Sequence, residues 1–272
     1  MIQLLNICNS FNRGVKYLIL TLLFSTFCYS SQNINSFIEQ TKLYENPYWS
    51  KLLHYRNGES EIDSNNFFIS KNGKTDLKKE LFETITSLKN AENSVLCRFP
   101  LRVEWLKKNI PNLEKEIVVY PCANLDEYLS AIDAKYVTLV FPTAHINSPA
   151  SMYGHTFLRV SSSEDTPLVS NAINFAAKTD DTNGLIFAYK GLFGEYEGRY
   201  SILPYYEKIK EYNNLEQRDI WEYDLDLTQE EINRLVLHSF ELKDVYSDYF
   251  FFKENCSYNI LWLLEIARSD LD

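Results

Sequence analysis

The stretch YVTLVFP, residues 136–142, marks the point where the sequence changes character. An unbroken run of β-branched and aromatic residues is typical of a buried strand. Before this strand, apolar residues recur at helical spacing. They predict two short helices within 35–56, a helix over 75–93 capped by Thr75 or Asp76, and helices at 98–109 and 124–132. The first half of the chain is therefore predicted to be mostly helical.

After residue 142 the pattern predicts successive strands. They cover residues 155–162, 168–177, 184–194, 198–206 and 218–227, the last of the sheet. Thr228 and Glu231 then form a capping box that opens a helix to about Leu242, and Asn255 caps a largely apolar final helix. Strands between two groups of helices predict an α+β fold, in which a helical N-terminal half packs on an antiparallel sheet.

The N-terminus has the layout of a secretory signal peptide. The apolar run YLILTLLFSTF, residues 17–27, follows Arg13 and Lys16 and precedes Ser30 and Ser31. Eleven residues are too few to span a bilayer, which needs about 20, although a membrane anchor or a buried strand remains the alternative. We expect a signal peptide over 1–31, a helical region over 32–134 and a core over 135–272 that forms one integrated domain with that region.

Export changes what the cysteines imply. Cys97, Cys122 and Cys256 remain after the signal peptide, and in an oxidising compartment two can pair while one stays free. Cys97 and Cys122 both flank short apolar segments and form the natural pair. Cys256 is then a reactive thiol or, as the alternative, a small buried hydrophobe.

Composition excludes several classes of function. The 27 basic and 37 acidic residues give a net charge of −10 with no basic block, which argues against nucleic-acid binding. Glycine is scarce, with 8 in 272 residues, and no glycine-rich phosphate-binding motif occurs. No HExxH or CxxC pattern is present, so we expect neither a metal nor another cofactor.

One group of residues could carry chemistry. Cys256 follows the helix cap Asn255, where the helix dipole and free N–H groups stabilise a thiolate and can hold an oxyanion. His155 begins a predicted strand, and Asn174 on the next strand could orient its ring. Thiol, imidazole and amide in these positions form a papain-type arrangement, in the reverse of papain's chain order.

Each of these residues also has a purely structural interpretation. Ser170 and Asn171 compete with Asn174, because the sequence does not determine the register of a strand. His54 and His238 stand alone on predicted helices, and His238 lies off the apolar face, which predicts a solvated side chain. The aromatic stretch 187–206 is either ordinary sheet core or the lining of an apolar groove for an acyl chain.

Several long motifs resemble a known family. They are HINSPASMYGHTFLRV (145–160), NAINFAA (171–177), GEYEGRYSILPYYEKIKEYNNLEQRDIWEYDL (194–225) and KENCSYNILWLLE (253–265), with WSKLLHYR (49–56) and LCRFPLRVEWL (96–106) upstream. Together they resemble the bacterial Lnb N-terminal periplasmic domain over nearly all of the chain after the signal. The motif order is also similar to the circularly permuted NlpC-like group that includes lecithin:retinol acyltransferase, so the resemblance implies a permuted papain-like core.

The resemblance implies a thiol-dependent enzyme in the periplasm. The family's namesake is a lipoprotein N-acyltransferase, which moves an acyl chain from the diacylglycerol of a lipoprotein to the amino group of its N-terminal cysteine. Asn255-Cys256-Ser257-Tyr258 occupies the place of the nucleophile motif. The resemblance implies that Cys256 is the nucleophile, His155 the base and Asn174 the third member of the catalytic triad. Ser151, Tyr153 and Arg159 belong to the same motifs and are expected to shape the site or bind substrate.

The expected function is therefore acyl transfer on a lipoprotein or lipid-linked substrate at a membrane surface. A thiol amidase or peptidase acting on cell-wall peptides and a non-catalytic exported binding module are the alternatives. Anionic lipid head groups repel an acidic surface, so such an enzyme needs a separate anchor. We expect either a self-sufficient catalytic domain or one cut short of its anchor at Asp272.

Overall fold

The computed structural model describes residues 33–92, 94–143, 155–162, 169–179, 181, 183–210 and 219–270. The chain divides into two compact units, Met1–Thr41 and Lys42–Asp272. The first unit contributes one described helix, and the second contains every other described element. The predicted signal peptide and the predicted binding residues Ser151 and Tyr153 lie outside the described residues.

Ten α-helices lie within the described residues. They are α1 (Ile34–Thr41), α2 (Pro47–Leu52), α3 (Leu77–Lys89), α4 (Val95–Arg98), α5 (Pro100–Asn109), α6 (Ala123–Ile132), α7 (Gly184–Phe193), α8 (Tyr205–Ile209), α9 (Gln229–Glu241) and α10 (Cys256–Ala267). The strands are β1 (Tyr55–Arg56), β2 (Glu59–Ser60), β3 (Tyr136–Pro142), β4 (Phe157–Ser161), β5 (Asn171–Lys178), β6 (Tyr196–Pro204), β7 (Ile220–Asp224) and β8 (Tyr246–Tyr249).

Six strands form the main sheet, in the order β7-β3-β4-β5-β6-β8. Every neighbouring pair in it is antiparallel, and β1 and β2 form a separate small hairpin. The predicted α+β fold with an antiparallel sheet is confirmed.

The sheet is covered on both faces. Helix α10 packs against β4 and β5, and α9 packs on α10. The N-terminal helices α2, α5 and α6 contact α9 and α10, so they reach the sheet through these two helices. On the opposite face, Tyr205 of α8 joins Val140, Phe157 and Ala172 in a buried apolar cluster. Since successive side chains of a strand point to opposite faces, each central strand contributes to both layers.

Three helix starts predicted from caps are confirmed. Asp76 accepts a hydrogen bond from the N–H of Lys79 at the start of α3. Thr228 and Glu231 form the predicted capping box of α9. The side chain of Asn255 caps α10. These caps satisfy N–H groups that otherwise lack partners in the first turn, so the local sequence sets where each helix begins.

The prediction of a strand over 184–194 is wrong, because this segment is helix α7. The Asn183 side chain accepts hydrogen bonds from the N–H groups of Leu185 and Ile186, and Gly194 ends the helix with a φ of 75°. That backbone conformation favours glycine. A short apolar run does not distinguish strand from helix by its periodicity, and the two end signals decide it here.

The prediction that 218–227 holds the last strand is also wrong. Strand β8 follows at residues 246–249 and pairs with β6 at the sheet edge. Its sequence, YSDY, is short and half polar, so it lacks the apolar alternation that predicts a strand.

A disulfide joins Cys97 of α4 to Cys122, the residue before α6. The bond closes a loop with a sequence separation of 25 residues. It ties two helices of the N-terminal region together, and it leaves Cys256 as a free thiol.

Candidate active site

Cys256 is the first residue of α10 and is buried. The preceding turn is fixed by Asn255, whose Oδ1 accepts from the N–H of Tyr258 at 3.1 Å and whose Nδ2 donates to the carbonyl of Phe251 at 2.9 Å. Asn259 donates from Nδ2 to the carbonyl of Asn255 at 3.1 Å. The sulfur is therefore held at a helix N-terminus, where the dipole favours negative charge.

His155 lies just before β4 and contacts Asn174 of β5. Its Nε2 hydrogen-bonds Oδ1 of Asn174, and Asn174 donates from Nδ2 to Oγ of Ser201 at 3.3 Å. An amide oxygen only accepts, so Nε2 carries the proton and Nδ1 is the basic nitrogen. Asn171 pairs with Val160 instead and points to the opposite face, so Asn174 is the residue that reaches the ring.

The thiol meets the histidine directly. Burial raises the pKa of Cys256, but a hydrogen bond to His155 and the charge of its ring lower it, as do hydrogen bonds from the Thr156 N–H and from Ser257. The net result is a pKa of about 7, against an ordinary 9.0. A large share of the thiol is therefore ionised at neutral pH, which a nucleophilic cysteine requires.

Two further polar residues hold this arrangement together. The hydroxyls of Thr156 and Ser257 hydrogen-bond each other at 2.8 Å, which links the start of β4 to the first turn of α10. Neither residue was singled out from the sequence, although each directly follows a predicted site residue. Their contact fixes the distance between the two elements that carry the imidazole and the thiol.

Tyr249 of β8 is a third residue that sequence reasoning missed. Burial raises its pKa, and the charge of the Cys256 thiolate raises it further, so the phenol stays protonated. Its hydroxyl hydrogen-bonds both the side chain and the backbone N–H of Cys256. Because β8 was not predicted, no sequence signal placed a tyrosine at the thiol.

Carboxylates lie on one side of the helix start. Glu254 has its pKa raised to about 7 by burial and by the charges of Glu61, Asp63 and Asp248. Glu61 accepts a hydrogen bond from the Tyr258 hydroxyl at 2.6 Å. Among the described residues, no group of three or more His, Cys, Asp or Glu side chains is arranged to hold a metal ion. Because these acidic side chains repel negative charge, an anion in addition to the Cys256 thiolate is disfavoured on this side of the helix start.

Arg159, predicted to bind substrate, is buried within the sheet. Its Nη2 donates to Oγ1 of Thr138 at 2.9 Å and pairs with Glu222 at 3.1 Å, and its guanidinium lies 5.6 Å from the centre of the Tyr205 ring. Its Nε is buried without a hydrogen-bond partner among the described residues. These contacts run toward β3 and β7, on the face that also carries His155, so Arg159 anchors the sheet behind the imidazole.

The expectation of a solvated His238 is wrong. Its side chain is fully buried, with Nδ1 2.9 Å from Oε2 of Glu241 and Nε2 2.9 Å from Nε2 of His54. Glu241 also accepts from the backbone N–H of Arg102, whose guanidinium pairs with the buried Glu80 at 3.2 Å. Helical periodicity does not detect this polar core, because the partners come from α3, α5 and the chain after α2.

Comparison with known proteins identifies the class of molecule. Residues 124–272 match the family described as the Lnb N-terminal periplasmic domain, and this span contains His155, Asn174, Tyr249 and Cys256. The protein belongs to this family and is a periplasmic protein related to Lnb-type lipoprotein modification. Residues 41–109 match a domain of unknown function, DUF7843, which spans His54 and Arg102. No curated protein and no solved structure matches the chain.

Compartment follows from the family. The predicted export of the protein agrees with its membership in a periplasmic domain family. In the part of the chain that the structure describes, no helix is long and apolar enough to cross a bilayer.

Proposed function

We propose that the protein is a cysteine-dependent acyl-transfer enzyme that acts on a lipoprotein or lipid-linked substrate through a thioester at Cys256. One observation carries the proposal: a thiol with a pKa of about 7 hydrogen-bonds a histidine whose other ring nitrogen is held by Asn174. Residues 135–272 are the proposed catalytic core, and their order of imidazole, amide and thiol is that of a permuted papain-like enzyme. Residues 1–31 are its proposed export signal.

In the first half of the reaction, Nδ1 of His155 takes the thiol proton and the thiolate attacks an ester carbonyl of the acyl donor. The hydroxyl of Tyr249, which hydrogen-bonds the side chain of Cys256, stabilises the oxyanion of the tetrahedral intermediate. When the carbon–oxygen bond of the ester breaks, the imidazolium of His155 gives its proton to the departing alkoxide. The acyl group is then a thioester on Cys256, and the donor leaves as an alcohol.

In the second half, a free amine attacks the thioester. His155 takes a proton from the nitrogen as the new carbon–nitrogen bond forms, and the carbon–sulfur bond breaks to return the thiolate. The product is an amide, as N-acylation of a lipoprotein requires. Water in place of the amine gives a hydrolase with the same residues, so access to the thioester decides between the two reactions.

The test is intact-mass spectrometry of the purified protein after incubation with a diacylated lipopeptide. We expect a mass increase of one acyl group that neutral hydroxylamine removes, and N-acylated peptide when a free amine is supplied. Cys256→Ala abolishes both signals, and the disulfide between Cys97 and Cys122 keeps those cysteines out of the reaction. Acyl transfer that persists undiminished in Cys256→Ala contradicts the proposal.

Two parallel incubations separate the alternatives. Peptidoglycan fragments replace the lipopeptide in one, and cleavage of their amide bonds there, with no acyl adduct from lipopeptide, indicates an amidase or peptidase. In the other, iodoacetamide alone measures the reactivity of the thiol at pH 6. A thiol no more reactive than free cysteine, with no adduct from either substrate, indicates a non-catalytic binding module.

A further inference from the structure

The outer face of α7 exposes five large apolar side chains. Leu185, Ile186, Tyr189, Leu192 and Phe193 are between 46 % and 84 % exposed, and the rings of Tyr189 and Phe193 lie 4.7 Å apart. These positions fall on one side of a helix, since residues three or four apart stack on the same side. Contiguous exposed apolar surface of this kind marks a site of interaction with a protein or a membrane.

The inner face of the same helix is packed. Phe187 is buried, with its ring 5.0 Å from that of Phe251, and the carbonyl of Gly191 accepts a hydrogen bond from the N–H of Phe251 at 2.9 Å. Any Cβ at Gly191 overlaps the Phe251 ring. The packing of its inner side therefore fixes the orientation of the helix. The helix cannot rotate to bury the five side chains of its outer face.

This helix is coupled to the nucleophile by hydrogen bonds. Phe251 donates its N–H to Gly191 of α7, and its carbonyl accepts from Nδ2 of Asn255, the cap of the Cys256 helix. One residue thus joins the exposed helix to the turn that positions the thiol. Whatever α7 docks on is brought close to the proposed reaction site.

The outer face of α7 itself carries no charged side chain. Between Asn183 and Gly194 the only charged residue is Lys190, and the neighbouring stretch FFFK, residues 250–253, adds only Lys253, which is exposed, in a chain of net charge −10. Lys190 is paired with Asp181 at 2.8 Å, and Glu195 and Glu254 directly follow the two segments, so the surroundings of the helix carry no excess of positive charge. The outer face itself is apolar, aromatic and uncharged, with the charged residues confined to its flanks, which is the pattern of a helix that lies in the interface of a bilayer.

We infer that the outer face of α7 docks on the surface of a lipid bilayer and inserts its five apolar side chains at the level of the head groups. The inference rests on the proposed function for its purpose, since an acyl donor held in a bilayer must reach Cys256. The five inserted side chains carry no charge, so the binding energy comes from the apolar area that they bury.

The experiment measures binding to vesicles of phosphatidylethanolamine and phosphatidylglycerol, using Cys256→Ala so that no chemistry interferes. Adding Leu185→Ser and Phe193→Ser together is expected to lower partitioning by about tenfold or more, because binding scales with the apolar area inserted. Val119→Ser, at another highly exposed apolar residue, is the matched control and leaves binding unchanged.

Two results overturn the inference. One is vesicle binding by the double serine variant equal to that of its parent. The other is a wild-type dimer in light scattering that the two serine substitutions convert to a monomer while vesicle binding stays the same, since the outer face then serves a second copy of the chain.

Failure of this inference differs from failure of the proposed function. If Cys256→Ala binds vesicles but the wild-type thiol forms no acyl adduct, the docking inference holds and the proposed enzyme function is contradicted. If a short-chain soluble donor forms an acyl adduct but the protein does not bind vesicles, the proposed enzyme function holds and the docking inference is contradicted.

Discussion

Asn174 lies opposite Phe157 in the register of β4 and β5, and this pairing brings its Oδ1 to Nε2 of His155. A slip of one residue between the two strands turns Asn174 to the other face of the sheet, where it cannot reach the ring. The register therefore sets the tautomer of the histidine. With Nε2 protonated, Nδ1 is the nitrogen that can accept the proton of Cys256.

The first prediction concerns the pKa of the thiol. In His155→Ala the burial of Cys256 remains, while the hydrogen bond and the charge that lower its pKa are lost. We expect the midpoint of the alkylation rate against pH to rise from about 7 to well above that value. Iodoacetamide labelling between pH 5 and about 10, with the modified peptide identified by mass spectrometry, measures it. An unchanged midpoint contradicts the assigned role of His155.

The second prediction separates orientation from proton transfer. Asn174→Ala keeps the imidazole but frees its Nε2, so acyl transfer is expected to fall by about tenfold or more while the protein stays folded. Asn171→Ala, on the same strand with its side chain on the other face, is the matched control and keeps full activity. Equal activity of the two variants shows that the contact between Asn174 and His155 has no catalytic consequence.

The third prediction concerns the hydroxyl of Tyr249. Tyr249→Phe keeps the packing of the ring but removes the hydroxyl, which hydrogen-bonds both the side chain and the backbone N–H of Cys256. Loss of one oxyanion donor is expected to lower kcat by roughly 10²–10³ with little change in KM. The alkylation midpoint of Cys256 is the second readout and rises only modestly above 7, because one donor to the thiolate is lost while His155, Thr156 and Ser257 still hold it. If a shift of the alkylation midpoint accounts for the whole loss of activity, Tyr249 acts on the ionisation of the thiol and does not stabilise the oxyanion.

Local signals in the sequence were enough to place the nucleophile. Asn255 is a cap because of its side-chain chemistry, so the sequence predicts that Cys256 begins a helix. Tyr249 could not be found in this way, because β8 is defined by its pairing with β6 across the sheet edge. His238 was misplaced for a similar reason: its partner His54 comes from a distant part of the chain, as does Arg102, whose N–H hydrogen-bonds the Glu241 carboxylate that His238 also contacts. Whether a side chain is buried depends on partners that are distant in sequence, and the periodicity of a single segment carries no information about those partners.

The last prediction rests on the buried histidine pair. Burial lowers the pKa of His54 well below its ordinary value, and the neighbouring His238 and Arg102 lower it further. The ring is packed between Trp262, at 4.8 Å, and His238, at 5.2 Å, with Phe67 at its edge. The folded protein therefore keeps His54 neutral at a pH where the unfolded chain binds a proton. Below about pH 6.5 this site binds a proton in the unfolded state but not in the folded state, so the contribution of His54 to stability falls as the pH falls.

We expect His54→Asn to flatten this dependence. Asparagine tolerates the left-handed backbone at position 54, where φ is 51°. Each pH unit below 6.5 costs the wild type up to about 1.4 kcal/mol through this one group, and the variant loses that term. Glu254, whose pKa is raised, acts in the opposite direction in both proteins and cancels in the difference. Urea unfolding at pH 7 and pH 5 measures the two slopes, and Ser94→Asn, at an exposed position with a φ of 52°, controls for asparagine in left-handed backbone. Parallel slopes for wild type and His54→Asn would show that the histidine pair takes up its proton without unfolding.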